Sequence, residues 1–301
     1  MIKIYIFLMA FMLSVVQSTA QDMDSLMRNM SSDQEPEAVT ASFKSSRLIL
    51  SQTTTMVKKF DLDFKVIHRF GDIGGTDGGS RTLYGFDNSS DIYIGFEYGI
   101  SDRFNISFGR SKYEQLLDLQ LKYAFLQQKD KNGSPISLSA LVKTGFTPYK
   151  VKTTIFDNYG NRFSHFVQAI ISRKFSPNLS LQVTPGFLFR SVVLAKDDER
   201  TMFSTGIAGR YKITKRFGVV ADYYFINSDY RKNNPNTAFY NPLGLGIEIE
   251  TGGHVFTMNF ANAKAIAENN FLANSTSSWG KGQYRFGFTI SRMFTLYKPK
   301  T

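Results

Sequence analysis

By residue type, the best candidates in this chain for binding a metal or haem, or for acting as a general base, are His68, His165 and His254. A shared metal site needs its ligands within a few ångströms of one centre. Counting along each segment, His68 follows Leu62, Phe64 and Val66 in alternation. His165 precedes Val167, Ala169 and Ile171, and His254 precedes Phe256, Met258 and Phe260. Each histidine thus shares a face with apolar residues, and the order of segments sets His254 at the opposite rim from the other two. The expectation is separate interfacial histidines, with no metal and no cofactor. A Ser-His-acid lipid hydrolase is the sharpest enzyme reading, and Ser164 stands beside His165. Neighbours on an extended strand point to opposite faces, so these two cannot act together. Other serines could approach a histidine across strands, but no residue here is marked as catalytic. The glycine run Gly71–Gly79 has neither the Lys-Ser/Thr of a phosphate loop nor a helical pattern after it. It reads as an external loop, with calcium binding by Asp72 and Asp77 as the alternative.

A second set of residues is spaced for a different task. Lys65, Glu97, Asp118, Lys122 and Lys143 each alternate with apolar neighbours, as do Arg190, Asp222, Glu248, Glu250 and Arg285. Asp61, Asp63 and Arg69 follow the same parity. On one face of a closed sheet, such charges would line a lumen and pair across it or set its selectivity. Tyr93 and Tyr224 share that face.

These side chains are positioned by a period-two pattern. In Asp91–Ile100, Ile92, Ile94, Phe96, Tyr98 and Ile100 oppose Tyr93, Gly95, Glu97 and Gly99. Leu117–Phe125, Leu243–Ile249 and Tyr284–Ile290 repeat it, which means strands with one apolar and one polar face. A turn also recurs: Tyr98–Ile106 (YGISDRFNI) resembles Tyr211–Val219 (YKITKRFGV), as expected of hairpins. Strands are expected near 59–70, 91–100, 103–111, 116–127, 136–147, 162–175, 178–193, 201–213, 216–228, 242–250, 254–262 and 283–294. Their links alternate between short turns and longer loops, the asymmetry of outer-membrane barrels. Ser42–Leu50 could form one more strand, but a thirteenth would leave the two termini on opposite sides. It is therefore assigned to the arm or the barrel interior.

The fold expected is all-β: a single antiparallel up-and-down transmembrane barrel of about 12 strands over residues 59–301. Residues 1–20 have the three parts of a secretory signal peptide, with Lys3, the apolar run Ile4–Val16 and Ser18-Thr19-Ala20. Residues 21–58 form a polar periplasmic arm. Both termini would lie in the periplasm and the barrel in the outer membrane, with its lipids as partner. The 28 Phe and 15 Tyr favour half-buried pleated surfaces, and those near strand ends suit interfacial girdles. The absence of Cys excludes disulfides and thiolate metal sites. The net charge of +11 is spread without a Lys/Arg block, so nucleic acid is not an expected partner.

Several stretches resemble a Bacteroidota β-barrel family of unknown function, DUF5777. They are Lys58–Asp72 (KKFDLDFKVIHRFGD), Phe43–Leu48, Gly95–Gly99, Tyr240–Leu243, Glu250–Phe256 (ETGGHVF) and Arg285–Arg292. The likeness covers nearly all of residues 40–294 and implies a barrel in the outer membrane. It implies no activity and transfers no functional residue. The function expected is a narrow channel or transporter for a small solute. The alternatives are a non-conducting structural barrel that docks a periplasmic protein through residues 21–58, and a membrane-embedded lipid hydrolase.

Overall fold

Alternation of apolar and polar residues builds twelve antiparallel strands among the described residues, 42–129, 133–148 and 154–297 of a computed structural model. The expected signal peptide (1–20) and residues 21–41 lie outside them. The strands are β1 (Asp61–Phe70), β2 (Ser89–Ser101), β3 (Phe104–Ser111), β4 (Leu117–Leu126), β5 (Ser137–Phe146) and β6 (Phe163–Lys174). They continue with β7 (Leu179–Arg190), β8 (Thr201–Lys212), β9 (Phe217–Asn227), β10 (Leu243–Thr251), β11 (His254–Ala261) and β12 (Arg285–Thr295). Each strand pairs with its sequence neighbours, and β12 pairs with β1 from Asp61 opposite Thr295 to Arg69 opposite Gly287, closing the barrel. Closure leaves no unpaired strand edge, which a sheet in lipid requires.

At one end the links are brief: residues 102–103, 175–178, 213–216 and 252–253. The β4–β5 link, residues 127–136, is the longer exception. At the other end lie 71–88, 112–116, 147–162, 191–200, 228–242 and 262–284. Strand identity and order match the sequence expectation, with boundaries shifted by three residues at most.

The faces are reversed relative to a soluble barrel. Ile94, Phe96, Phe108 and Leu119 point outward and are 44–52% exposed, while Asp63, Glu97, Lys122 and Asp222 point inward and are about 1–2% exposed. So much outward apolar surface would be a liability in water, and it suits a lipid surround. Aromatic side chains meet near both rims, as in Phe60 with Tyr297 at the short-turn end and Trp279 stacked on Tyr284 at the other.

Two segments outside the strands fill the lumen. The first is a plug, residues 42–57, which includes the Ser42–Leu50 stretch and forms no strand. It enters from the short-turn end and doubles back in a tight turn. There the Leu48 N–H donates to Ser51 O (2.8 Å), and Thr53 N–H donates to Ser46 O (2.9 Å). The chain leaves the lumen for β1 at Phe60, a non-glycine residue in the left-handed region (φ 67). Phe60 N–H donates to Gly99 O at 2.9 Å. The approach is that close only because position 99 is glycine; a Cβ there would lie 2.0 Å from Lys58 O. The second segment is the β11–β12 link, which turns inward and buries Ala263 and residues 265–273. Sequence alone suggested only a long loop. Its inward course is fixed by wall groups that satisfy its backbone: Arg69 donates to the carbonyls of Ala263 (3.0 Å) and Ala265 (2.7 Å). Asp91 accepts from Ile266 N–H (2.7 Å). A loop lying in water would not need these bonds.

Candidate functional site

Charged side chains cluster on the lumen wall made by β1 to β4. Lys65 Nζ sits 2.8 Å from Asp63 and 2.6 Å from Glu97, and Lys122 Nζ reaches Glu97 at 2.9 Å. Asn105 and Ser291 donate to Glu97 (3.0 Å) and Asp63 (2.6 Å) respectively. With these bonds every carboxylate oxygen of Asp63 and Glu97 has a donor, which a buried ion network requires. Tyr93 donates its hydroxyl to Asp118 at 3.1 Å.

The wall opposite, β6 to β9, is unlike it. Phe166, Ile170, Leu188, Met202, Val220 and Tyr224 point into the lumen and are buried against Phe43, Leu48, Ile49 and Leu50 of the plug and Phe271 and Leu272 of the inward link. Ile49 seats where Gly244 of β10 carries no side chain; a Cβ there would lie 2.7 Å from it. Apolar residues on the lumen parity depart from the simple polar-inside expectation. They are present because the lumen holds protein.

The plug and the inward link meet at mid-barrel. Arg47 donates to the Glu268 carboxylate (2.9 Å) and to the carbonyls of Leu50 (3.0 Å) and Ile266 (2.6 Å). Lys143 of β5 pairs with the other Glu268 oxygen. Asp222 of β9 accepts from the backbone N–H groups of Ile49 (2.9 Å), Leu50 (3.4 Å) and Ser51 (3.1 Å). Ser46 donates to Glu97 at 2.5 Å, and Lys44 lies 3.0 Å from Glu250 near the short-turn rim. Arg47, Lys143, Glu268, Asp222 and Tyr224 are no more than 3% exposed, so the lumen is closed at this level.

The structure places eight of the ten candidate lumen residues fully inside the wall: Lys65, Glu97, Asp118, Lys122, Lys143, Asp222, Glu248 and Arg285. Glu248 pairs with Arg210 (2.6 Å) and Arg285 with Asp72. Glu250 and Arg190 sit at opposite rims, half-buried. Asp61 is half-buried at the start of β1. Arg190 borders a cleft of about 340 Å³ in the long-loop mouth, lined also by Tyr230, Phe239 and Asn269. There Asp198, on the β7–β8 link, meets Arg190 (2.9 Å) and Arg231 (3.1 Å). Burial opposes its charge, yet those two guanidinium groups hold its carboxyl below the usual range. Sequence reasoning missed Arg47 and Glu268. Both lie outside the strands, where parity gives no orientation, and only their charge type hinted at a pair.

The residues weighed for catalysis do not converge. Ser164 points inward and accepts from Asn269 (2.8 Å), while His165 points outward and meets Thr144 Oγ1 (3.1 Å). His68, His165 and His254 each stack on a phenylalanine: Phe288, Phe163 and Phe256. Asp77 is exposed and Asp72 is taken by Arg285. Among the described residues, no three His, Asp or Glu side chains are grouped to hold a metal ion.

A closed sheet with lipid-facing apolar residues and a charged, filled lumen defines a membrane-spanning β-barrel. The chain belongs to the family described as "Membrane bound beta barrel domain (DUF5777)", whose model matches residues 43–294. Solved structures with a similar fold include the NanC porin (9% identity, 77% of this chain and 98% of that chain, TM-score 0.46). The KdgM porin is similar at 7% identity over 78% and 99% (TM-score 0.45). An outer membrane channel from Pseudomonas putida F1 is similar at 12% identity over 80% and 98% (TM-score 0.46). At this distance they share the barrel architecture and carry no argument about activity. A comparison with curated proteins finds no match.

Proposed function

We propose that this barrel is a small-solute channel of the outer membrane, closed in the described conformation by its own plug and inward link. The long-loop end faces the outside, and both chain ends lie in the periplasm beside the short turns. The observation that carries this reading is the Arg47–Glu268 contact. It joins two segments that belong to no strand, across a wall whose charged side would be hydrated once they part. A wall built only to enclose a permanent filling would have no need of Asp63, Lys65, Glu97 and Lys122 in its lining, since well-packed apolar residues fill such space at no loss of stability.

The burial of Leu48, Ile49 and Leu50 against β6–β9 favours a second reading, a barrel that never conducts and serves structurally. Planar-bilayer recordings separate the two. Wild-type protein refolded into detergent should be nearly silent, and Glu268→Gln should open in discrete steps. A Glu268→Gln barrel that keeps its folded gel mobility yet stays silent would favour the structural barrel.

A further inference from the structure

The plug meets the wall and the inward link with a consistent chemistry. Arg47 gives its guanidinium to Glu268, Lys44 gives its ammonium to Glu250, and three successive N–H groups go to Asp222. In return, Lys122 donates to the carbonyl of Thr55 (2.9 Å) and Gln182 to the carbonyl of Gln52 (2.9 Å). The lumen therefore holds sites for cations, for peptide N–H groups and for peptide carbonyls, all now filled by residues 44–55. The plug carries Lys44 and Arg47 and no acidic residue.

Resting on the channel reading, we infer that the open lumen selects cationic, peptide-like solutes, and that the plug occupies their binding sites as a stand-in. Removing it leaves an anionic passage. Lys65 and Lys122 are matched within the wall by Asp63 and Glu97, and Arg210 by Glu248. Lys143 keeps Glu268 and Arg285 keeps Asp72. Among the described residues, Arg69 has no carboxylate within salt-bridge distance, but Asp91, Asp118 and Asp222 have no cation there either, and Glu250 has only Lys44 of the plug, so the unmatched charge is acidic. At 0.1 M salt the screening length is roughly 10 Å, so such unmatched charges act across a narrow lumen.

The test uses the full chain carrying Arg47→Glu, which sets a carboxylate against Glu268 and drives the plug out. In a potassium chloride gradient, its reversal potential should lie toward the potassium limit. Adding Asp222→Asn should move it back toward zero. A synthetic peptide of residues 42–57 should block the current, and a version with both cations changed to alanine should block at least tenfold less well. An anion-preferring or non-selective current, or equal block by the two peptides, overturns the inference while leaving the channel standing. If Arg47→Glu does not refold, Arg47→Ala is measured in the same way. Silence from folded Arg47→Glu, Arg47→Ala and Glu268→Gln barrels removes the channel reading and this inference with it.

Discussion

The two halves of the lumen wall hold the same plug by different means, one through charge alone and the other through apolar packing around a single carboxylate, Asp222. On β1–β4, the residues facing inward include seven Asp, Glu, Lys and Arg side chains among small and polar neighbours, and Asp63, Lys65, Glu97 and Lys122 form a hydrogen-bonded network. On β6–β9 the inward face interleaves polar residues such as Gln168, Gln182, Thr184 and Asp222 with Phe166, Ile170, Leu188, Met202 and Val220, and it is these apolar side chains that pack against Leu48, Ile49 and Leu50. Apolar packing gives adhesion without direction, in proportion to the area removed from water. Charged pairs add little net stability, because desolvation opposes the Coulomb attraction, but they fix register. The apolar side chains of β6–β9 therefore supply most of the hold, while the charged half, Asp222 and Glu268 set where the plug stops.

The largest effect should come from Glu268→Ala, which strands Arg47 and Lys143 without their carboxylate. Breaking a buried pair this way costs roughly 3–5 kcal/mol. The temperature at which the folded band converts to the unfolded one on gels should fall, and conduction should appear. Leu48→Ala opens a cavity on the apolar side at a cost of roughly 2–5 kcal/mol. It should loosen the plug, read by faster proteolysis within residues 42–57, without changing charge selectivity. The double variant sharpens the comparison. If the two halves act independently, the losses should add to within about 0.5 kcal/mol, and a larger discrepancy would mean that charge register and apolar packing form one unit. Gly244→Val removes the seat of Ile49 and should cost roughly 1–3 kcal/mol by overpacking, again measured by the gel transition.

The smallest effect should be that of Asp198→Asn in the mouth, about 1 kcal/mol or less, since that cluster is partly solvated. Because Arg190 and Arg231 hold the Asp198 carboxyl below its ordinary range, its contribution is present above the unfolded value. It fades as pH falls through the lower folded one. Proteolysis of the 191–200 link should therefore speed up on strong acidification in wild type and show no such acid step in Asp198→Asn.

The barrel itself was legible in the sequence because period two leaves each side chain only two directions, and Ile92–Ile100 or Leu117–Phe125 make the choice plain. That parity also set Lys65, Glu97, Lys122 and Asp222 on the lumen side. It could not foretell the apolar lining of β6–β9. Phe166 and Val220 fall on the polar parity, but they face a plug, and a two-letter pattern records no difference between water and protein as neighbour. Nor could it place Arg47, Ile49 or Glu268. Their positions depend on contacts with residues far away in the chain, such as Asp222 for the plug backbone and Asp91 for Ile266.

Arg47 and Glu268 are separated by 221 positions. Contacts so distant form late, since the intervening chain must first be ordered. Nearly every strand lies between them, and Glu268 precedes the last one. The latch can thus be set only when the strands around it have come together. A newly inserted molecule should pass through an unlatched interval, and for that time the youngest barrels in a membrane would be its leakiest.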